Sequence, residues 1–142
     1  MKLSMAAELA VRGVLALAEQ YGRGPVPLEE ICRLRKLPRD YLTKIFGLLG
    51  RANLVAAVRG KGGGYVLARS PRDISLLEII EAVEGQLALN LCQQDPPKCR
   101  DESCRVRGVW TELQGTIRSA LAAKTLDQFI AGSAQEGLSS KA

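Results

Sequence analysis

The sequence predicts a mainly α-helical chain that carries one small β-hairpin. Two observations indicate this fold class. Apolar residues recur at helical spacing along most of the 142 residues, whereas the glycine run at 60–64 has β-forming residues on both sides of a tight turn. A chain of this length forms one domain, or one small domain with an appended arm.

Three helices are predicted in the first fifty residues, separated by breaks that contain glycine or proline. The first runs from residue 4 to about residue 20, with Ser4 as its N-cap. The second runs from 27 to about 36, and the third from about 39 to 51. Leu37 separates these two helices, because the residue before a proline avoids helical geometry.

After the third helix we expect a hairpin, a fourth helix, a loop and a long fifth helix. The hairpin strands lie at 54–59 and 65–68. A capping box of Ser75 and Glu78 opens the fourth helix, and Gly85 ends it. The chain thus divides into a head at 1–85, a loop at 86–103, a segment at 104–131 that holds the long helix (to about 123) and a short last helix, and a disordered tail at 132–142.

Charge is distributed unevenly along the chain, whose net charge is +5. Residues 1–72 carry 13 Lys and Arg against 5 Asp and Glu, a net charge of +8, whereas residues 73–142 carry 7 against 10, a net charge of −3. A basic first half is typical of a head that binds a polyanion, followed by a regulatory or assembly segment. Uneven surface charge without a function is the plainer alternative.

The order of elements in the head is that of a winged helix-turn-helix, in which the helix after the turn enters the major groove of DNA. The hairpin, here called the wing, combines cations with a glycine backbone that can approach a minor groove or a row of phosphates. Taken alone, each feature has a plainer alternative: the third helix as a core helix with a solvated side, and the hairpin as an ordinary turn. We predict double-stranded DNA as the partner, with contacts from Arg39, Tyr41, Thr43 and Lys44 on the helix and from Arg59, Lys61, Gly62, Gly63 and Tyr65 in the wing.

Three of the four cysteines, Cys92, Cys99 and Cys104, lie within thirteen residues of the polar loop. Cysteine is usually a buried hydrophobe, so thiols without apolar neighbours indicate metal or redox chemistry. Cys32 lies beside Ile31 in the second helix, and we expect it in the core. No apolar run is long enough to span a membrane, and the first residues lack a signal-peptide cleavage region, which predicts a cytoplasmic protein with reduced thiols.

A metal site on these three thiols needs a further ligand. Iron–sulfur and structural zinc sites usually take four protein ligands, and the chain contains no histidine. The fourth ligand is Cys32, a carboxylate, a backbone or solvent group, or a residue of a second subunit. Glu8 is a candidate because an acid is unexpected in the alanine-rich first helix, although a solvated surface acid is an equally simple explanation.

The apolar side of the long helix from Cys104 to Ala123 is hard to bury within one small chain. Trp110, Leu113 and Ile117 lie on this side. We therefore expect the helix to pair two subunits of a homodimer. A twofold dimer with two heads reads a pseudo-palindromic operator.

Several motifs together resemble the IscR/NsrR family of dimeric iron–sulfur transcription regulators, the Rrf group. They are the wing sequence from Arg59 to Tyr65, the segment from Ser70 to Gly85 and the three later cysteines, in this order over about residues 1–130. The resemblance implies an iron–sulfur cluster on these cysteines, completed by the partner subunit's Glu8, with 2Fe–2S slightly favoured over 4Fe–4S. One departure is an arginine, at position 107, where IscR-type members carry a histidine ligand.

The predicted function is a transcription repressor or activator whose cluster senses iron–sulfur status, redox state or nitric oxide. The alternative keeps the DNA-binding fold and replaces the cluster with zinc or a thiol–disulfide switch. An enzyme is not expected, because the sequence lacks histidine and a Cys-x-x-Cys pair. A head that docks onto a protein partner rather than DNA is a further alternative.

Overall fold

The computed structural model describes residues 2–130, and the tail predicted to be disordered at 132–142 lies outside this part of the chain. Within it the predicted fold class is confirmed, with five α-helices and one two-stranded antiparallel sheet. Three 3-10 turns lie at 71–73, 91–93 and 126–129. The main elements are α1 (Met5–Glu19), α2 (Leu28–Arg35), α3 (Arg39–Arg51), β1 (Val55–Val58), β2 (Gly64–Leu67), α4 (Leu76–Glu84) and α5 (Arg107–Ala122).

The first three helices begin and end where local chemistry requires. The hydroxyl of Ser4 accepts a hydrogen bond from the Ala7 N–H at 3.1 Å and caps α1, as predicted. α2 ends at Lys36, whose backbone is left-handed with a φ of 54°. Because Leu37 precedes a proline, the chain cannot continue as a helix there. α3 therefore starts in a new direction, which makes the turn of the helix-turn-helix.

The core of the head lies where α1 packs against α3. The buried side of α3 consists of Leu42, Ile45, Phe46 and Leu49. Gly13 of α1 faces this side, and a Cβ at that position would lie 2.8 Å from Phe46 Cε1. The two helices therefore approach closely, and this contact sets which side of α3 faces solvent.

The wing is tied to the head by the segment before α2. β1 and β2 pair antiparallel, with Val55 opposite Leu67. Val26 and Tyr65 exchange two backbone hydrogen bonds of 2.9 Å, which hold β2 near its start. Gly64 permits this approach, because a Cβ there would lie 2.3 Å from the Val26 carbonyl oxygen. The wing is thereby fixed relative to the helices.

The predicted capping box opens α4. Ser75 Oγ accepts from the Glu78 N–H at 3.2 Å, and Glu78 Oε2 accepts from the Ser75 N–H at 3.0 Å. Burial raises the pKa of Glu78, but hydrogen bonds from Ser75 and Arg69 outweigh it, so this pKa lies below its usual range. The charged carboxylate of Glu78 therefore stabilises the start of α4. At the other end, Gly85 ends the helix with a φ of 82°, as predicted.

The long helix α5 begins at Arg107, later than the predicted start at Cys104. Asp101 explains the difference. Its carboxylate accepts hydrogen bonds from the N–H and the hydroxyl of Ser103, at 3.0 and 2.8 Å, and its carbonyl accepts one from the Arg107 side chain at 3.1 Å. This local turn competes with helical geometry, so Cys104 belongs to the loop.

After α5 the chain returns to the head. The predicted short last helix is a 3-10 turn in which Leu126 is fully buried and its N–H donates to the Ile74 carbonyl at 3.0 Å. The Leu76 N–H donates to the Lys124 carbonyl at 2.8 Å. The end of α5 is therefore attached to the start of α4.

Candidate nucleic-acid interface and cysteine loop

Four of the predicted DNA contacts lie together on the exposed side of α3. Tyr41 is 38% exposed and Lys44 is exposed. Arg39 is also exposed, and its guanidinium pairs with the Glu29 carboxylate of α2 at 2.6 Å. The Thr43 hydroxyl donates to the Arg39 carbonyl at 3.1 Å and keeps its lone pairs as acceptors. The pairing with Glu29 puts an acid beside this surface, which the sequence pattern did not single out.

The tip of the wing presents two cations among glycines, which carry no side chains. Arg59 and Lys61 are exposed. Gly62 has a φ of 77°, and a Cβ at Gly63 would lie 2.2 Å from the Val58 carbonyl oxygen. The tight turn alone therefore requires both glycines. A tip this narrow is able to approach phosphates or a minor groove, and the DNA contacts of the wing remain a prediction.

Tyr65 differs from the other predicted contacts, because its ring packs inward. The side chain is half-buried, and its ring meets that of Phe46 edge to face with centroids 4.8 Å apart. Phe46 belongs to α3, so this pair connects the wing to the predicted recognition helix. Tyr65 thus supports the interface, and a DNA contact from its hydroxyl remains a prediction.

The three loop cysteines are free and half-buried. Cys92 lies in the 3-10 turn at 91–93, where its thiol donates to the side-chain oxygen of Asn90 at 3.1 Å and accepts from the Gln93 amide at 3.3 Å. Cys99 and Cys104 follow in an irregular segment. Residues 2–130 contain no group of three or more His, Cys, Asp or Glu side chains arranged to hold a metal ion. The single chain therefore does not bring the three thiols together around a common centre.

The donor chemistry of the loop fits an iron–sulfur cluster. Thiolates are the usual ligands of such clusters, and none of the three cysteines is used in a disulfide. Exposed Arg100 and Arg105 directly follow Cys99 and Cys104 and add positive charge beside an anionic group. The side chains of the loop are therefore of the kind that binds an iron–sulfur cluster. Binding would require the loop to close around the cluster.

Two further ligand candidates lie on helices of the head. Cys32 packs against the core from α2, as predicted, and burial raises the pKa of its thiol. A higher pKa leaves less of the thiolate, which is the form that binds metals. Glu8 is exposed in the first turn of α1, where an acid also interacts favourably with the helix dipole. Its carboxylate is therefore accessible to a second molecule.

A row of polar side chains on α5 holds the loop, and this contact was not predicted from the sequence. Thr111, Gln114 and Arg118 share one side of the helix. The first two form hydrogen bonds of 2.9 to 3.4 Å with residues 89–93, and Arg118 pairs with Glu81 of α4. The spacing of these polar residues is visible in the sequence, but polar residues on a helix ordinarily face solvent.

The apolar side chains of α5 remain partly exposed. Val109 is 49% and Leu113 45% exposed, and α5 buries none of its side chains within the described chain. A groove of about 500 Å³ opens between this helix and the start of the loop, and Ile117 also lines a second groove of about 390 Å³ beside Trp110. The apolar residues lining the first groove are Leu3, Leu87, Ala88, Leu89, Ile117 and Leu121.

This arrangement of head, wing, loop and long helix matches a known family. The model of the Rrf2 family, described as an iron-dependent transcriptional regulator, matches residues 3–132. The chain belongs to the Rrf2 family. The regulator IscR of Pectobacterium carotovorum is 32% identical to this Rrf2 chain over 130 residues, which cover 92% of the chain and 79% of the relative.

Solved structures agree with this assignment. CymR of B. subtilis, described as the global cysteine regulator, has a TM-score of 0.78 at 28% identity, covering 89% of the Rrf2 chain and 94% of its own. IscR of T. potens has a TM-score of 0.75 at 30% identity, covering 100% and 92%. The Rrf2 protein is therefore a winged-helix transcription regulator that binds DNA and is not an enzyme. None of its helices in residues 2–130 is long and apolar enough to cross a membrane.

Proposed function

We propose that this Rrf2-family protein is a homodimeric, cytoplasmic regulator in which Cys92, Cys99 and Cys104 hold an iron–sulfur cluster. One observation carries the proposal. Three free, half-buried thiols lie on the loop that joins the DNA-binding head to α5. A bound cluster supplies iron that reacts with oxidants or nitric oxide and is lost when iron is scarce. The DNA affinity of the head then depends on iron–sulfur status, redox state or nitric oxide.

The ligand set consists of the three thiolates and the partner subunit's Glu8. The exposure of Glu8 and the packing of Cys32 against the core support this choice. A carboxylate is a harder and weaker ligand for a cluster than a thiolate, so a site held in this way would open first at the iron bound by Glu8. From the resemblance to IscR we propose a 2Fe–2S cluster in preference to a 4Fe–4S cluster.

The partner is a second copy that covers the apolar side of α5. Val109 and Leu113 are nearly half exposed in the single chain, which is unusual for large apolar residues on one face of a helix. The grooves along Ile117 continue this surface toward the loop. A partner helix that fills them also lies beside the cysteine loop, so dimerisation and cluster binding support each other.

DNA binding uses α3 and the wing as one unit. α3 enters a major groove with Arg39, Tyr41, Thr43 and Lys44, and the tip of the wing reaches the adjacent backbone or minor groove. Arg39 exchanges the Glu29 carboxylate for a phosphate or a base edge on binding. Two heads related by a twofold axis read a pseudo-palindromic operator.

Serine variants of each cysteine test the proposal. Protein is purified without oxygen, iron and sulfide are assayed, and affinity is measured by anisotropy on duplexes selected by the protein from a random pool. Cys92→Ser, Cys99→Ser and Cys104→Ser should each lose most of the iron and bind DNA as cluster-free wild-type protein does. Glu8→Ala should keep some cluster with a changed spectrum.

Cys32→Ser is the matched control, because it changes a thiol that packs against the core. It should retain iron and the DNA response of the wild type. Full loss of iron in Cys32→Ser would make this residue a ligand, and full retention in all three loop variants would remove the cluster from the loop.

A thiol–disulfide or zinc switch is the second candidate function. The free thiols of the loop and the likeness to CymR, which is described as the global cysteine regulator, favour it. Peroxide treatment of reduced, metal-free protein, followed by peptide mass spectrometry and DNA binding, tests the disulfide. A loop disulfide that changes DNA affinity, in protein that carries no iron as purified, would support this second candidate.

A further inference from the structure

We propose that Gln114 of α5 is a positioning residue for Cys92. Its side-chain amide holds both ends of the short turn that carries the thiol. Oε1 accepts from the Leu89 N–H at 2.9 Å, and Nε2 donates to the Gln93 carbonyl at 3.4 Å. The role of Cys92 as a cluster ligand rests on the proposed function, whereas the positioning is a property of the chain itself.

Gln93 adds a second connection between the same turn and α5. Its Nε2 lies 3.0 Å from Thr111 Oγ1 and 3.3 Å from Cys92 Sγ. The Thr111 hydroxyl donates its proton to the Arg107 carbonyl at 3.1 Å, so its oxygen is left to accept from Gln93. The sulfur of Cys92 is thus linked to α5 through a single amide group.

The same side of α5 connects this turn to the DNA-binding head. Arg118, about one helical turn after Gln114, pairs with Glu81 of α4 through two contacts, the longer of them 3.3 Å. Glu81 also accepts from the Leu87 N–H at 2.7 Å. The start of the loop is therefore fixed at Leu87 by α4 and at Leu89 by α5, and a displacement of the Cys92 turn acts on both helices.

The other two loop thiols are held differently. Within residues 2–130, Cys99 and Cys104 form no side-chain hydrogen bond, whereas Cys92 takes part in two. Cys92 is therefore the loop thiol that the folded chain already holds in place, and Cys99 and Cys104 would have to approach it to complete a cluster site. Gln114 would set the direction from which the Cys92 thiolate reaches a bound iron.

Alkylation of the full-length, reduced and metal-free protein tests this role. Iodoacetamide is added under native conditions, and modification of each cysteine is followed by peptide mass spectrometry. Gln114→Met keeps the length of the side chain and removes both hydrogen bonds, while Gln114→Glu keeps the acceptor for Leu89. Thr116→Val is the control, because within residues 2–130 this hydroxyl bonds only to the Glu112 carbonyl of α5.

Gln114→Met should raise the alkylation rate of Cys92 about fivefold relative to Cys99 and Cys104, and should speed hydrogen exchange at the Leu89 amide by a similar factor. Gln114→Glu should restore the protection of Leu89, and Thr116→Val should match the wild type. In cluster-loaded protein, Gln114→Met should also shift the reduction potential. Urea unfolding curves of each variant check that the proteins are folded under the conditions of alkylation.

An unchanged ratio of cysteine reactivities in Gln114→Met, with an unchanged Leu89 exchange rate, would overturn the proposal whatever the cofactor is. Equal acceleration at all three cysteines would also overturn it, because loosening of the whole loop is not positioning of one thiol. Anaerobic wild-type protein without iron or sulfide would contradict the proposed cluster. If Gln114→Met still raises the alkylation rate of Cys92 in that case, the positioning role stands on its own.

Discussion

Leu113→Ala tests whether α5 pairs two subunits. Leu113 is 45% exposed in the single chain, so roughly half of the 1.5–3 kcal/mol that full burial of a leucine contributes remains to be gained in a dimer. A twofold interface contains this side chain twice, so the variant should lose about 1.5–3 kcal/mol per dimer. The dimer dissociation constant should therefore rise by roughly ten- to a hundredfold.

Sedimentation equilibrium at several concentrations measures this constant directly. Leu34→Ala is the matched control, because Leu34 is 41% exposed on α2 and its truncation removes a similar apolar surface far from α5 in sequence. Leu34→Ala should dimerise as the wild type does. Wild-type dimerisation of Leu113→Ala, or equal weakening by both variants, would refute the reasoning that α5 forms the interface.

Three further predictions concern DNA binding and stability. Changing Arg59 and Lys61 to alanine should reduce the salt slope of DNA binding by up to about 2, measured by fluorescence anisotropy on any duplex. Gly13→Ala places a methyl group 2.8 Å from Phe46 Cε1. Overpacking of about 1–3 kcal/mol, less roughly 1 kcal/mol of helix propensity that alanine gains, should lower the free energy of unfolding in urea by up to about 2 kcal/mol. Because the pKa of Glu78 is lowered in the folded chain, its contribution to stability is present above about pH 4.5 and is lost as the pH falls through the folded pKa. Glu78→Gln should therefore be less stable than the wild type at pH 7 and should lose less stability on acidification, as urea midpoints will show.

Each of these predictions has an outcome that contradicts it. An unchanged salt slope would remove the wing from the DNA interface. A Gly13→Ala protein more stable than the wild type by about 1 kcal/mol would show that the Phe46 ring moves aside without cost. Identical pH profiles for Glu78→Gln and the wild type would mean that the hydrogen-bonded carboxylate adds nothing to the stability of α4.

Local chemistry explains why most of the fold is readable from the sequence. Ser75 and Glu78 identify a helix start without any tertiary contact, and Gly85 identifies its end. The start of α5 was placed too early, because the turn around Asp101 depends on side-chain hydrogen bonds that helical periodicity does not reveal. The short last helix predicted after α5 is only a 3-10 turn, in which Leu126 is buried in the core.

The candidate site was readable only in part. Arg39 and Lys61 are identified by charge and by position on an element, which are properties of the sequence. The inward packing of Tyr65 and the polar connection through Gln114 depend on which elements meet in space, and single positions do not encode that. The ligand arrangement of the cysteines remains a prediction, because it requires the bound group and a second chain.

The proposed regulation depends on an iron–sulfur cluster held by the loop thiolates. Absorption and Mössbauer spectra of wild-type protein, produced with enriched iron and purified without oxygen, test it most directly. We expect iron and sulfide with the spectrum of a thiolate-ligated 2Fe–2S centre, and loss of that spectrum in Cys92→Ser. A 4Fe–4S spectrum would keep the cluster on these thiolates and change its type. Colourless protein that contains zinc, or no metal at all, would contradict this proposal.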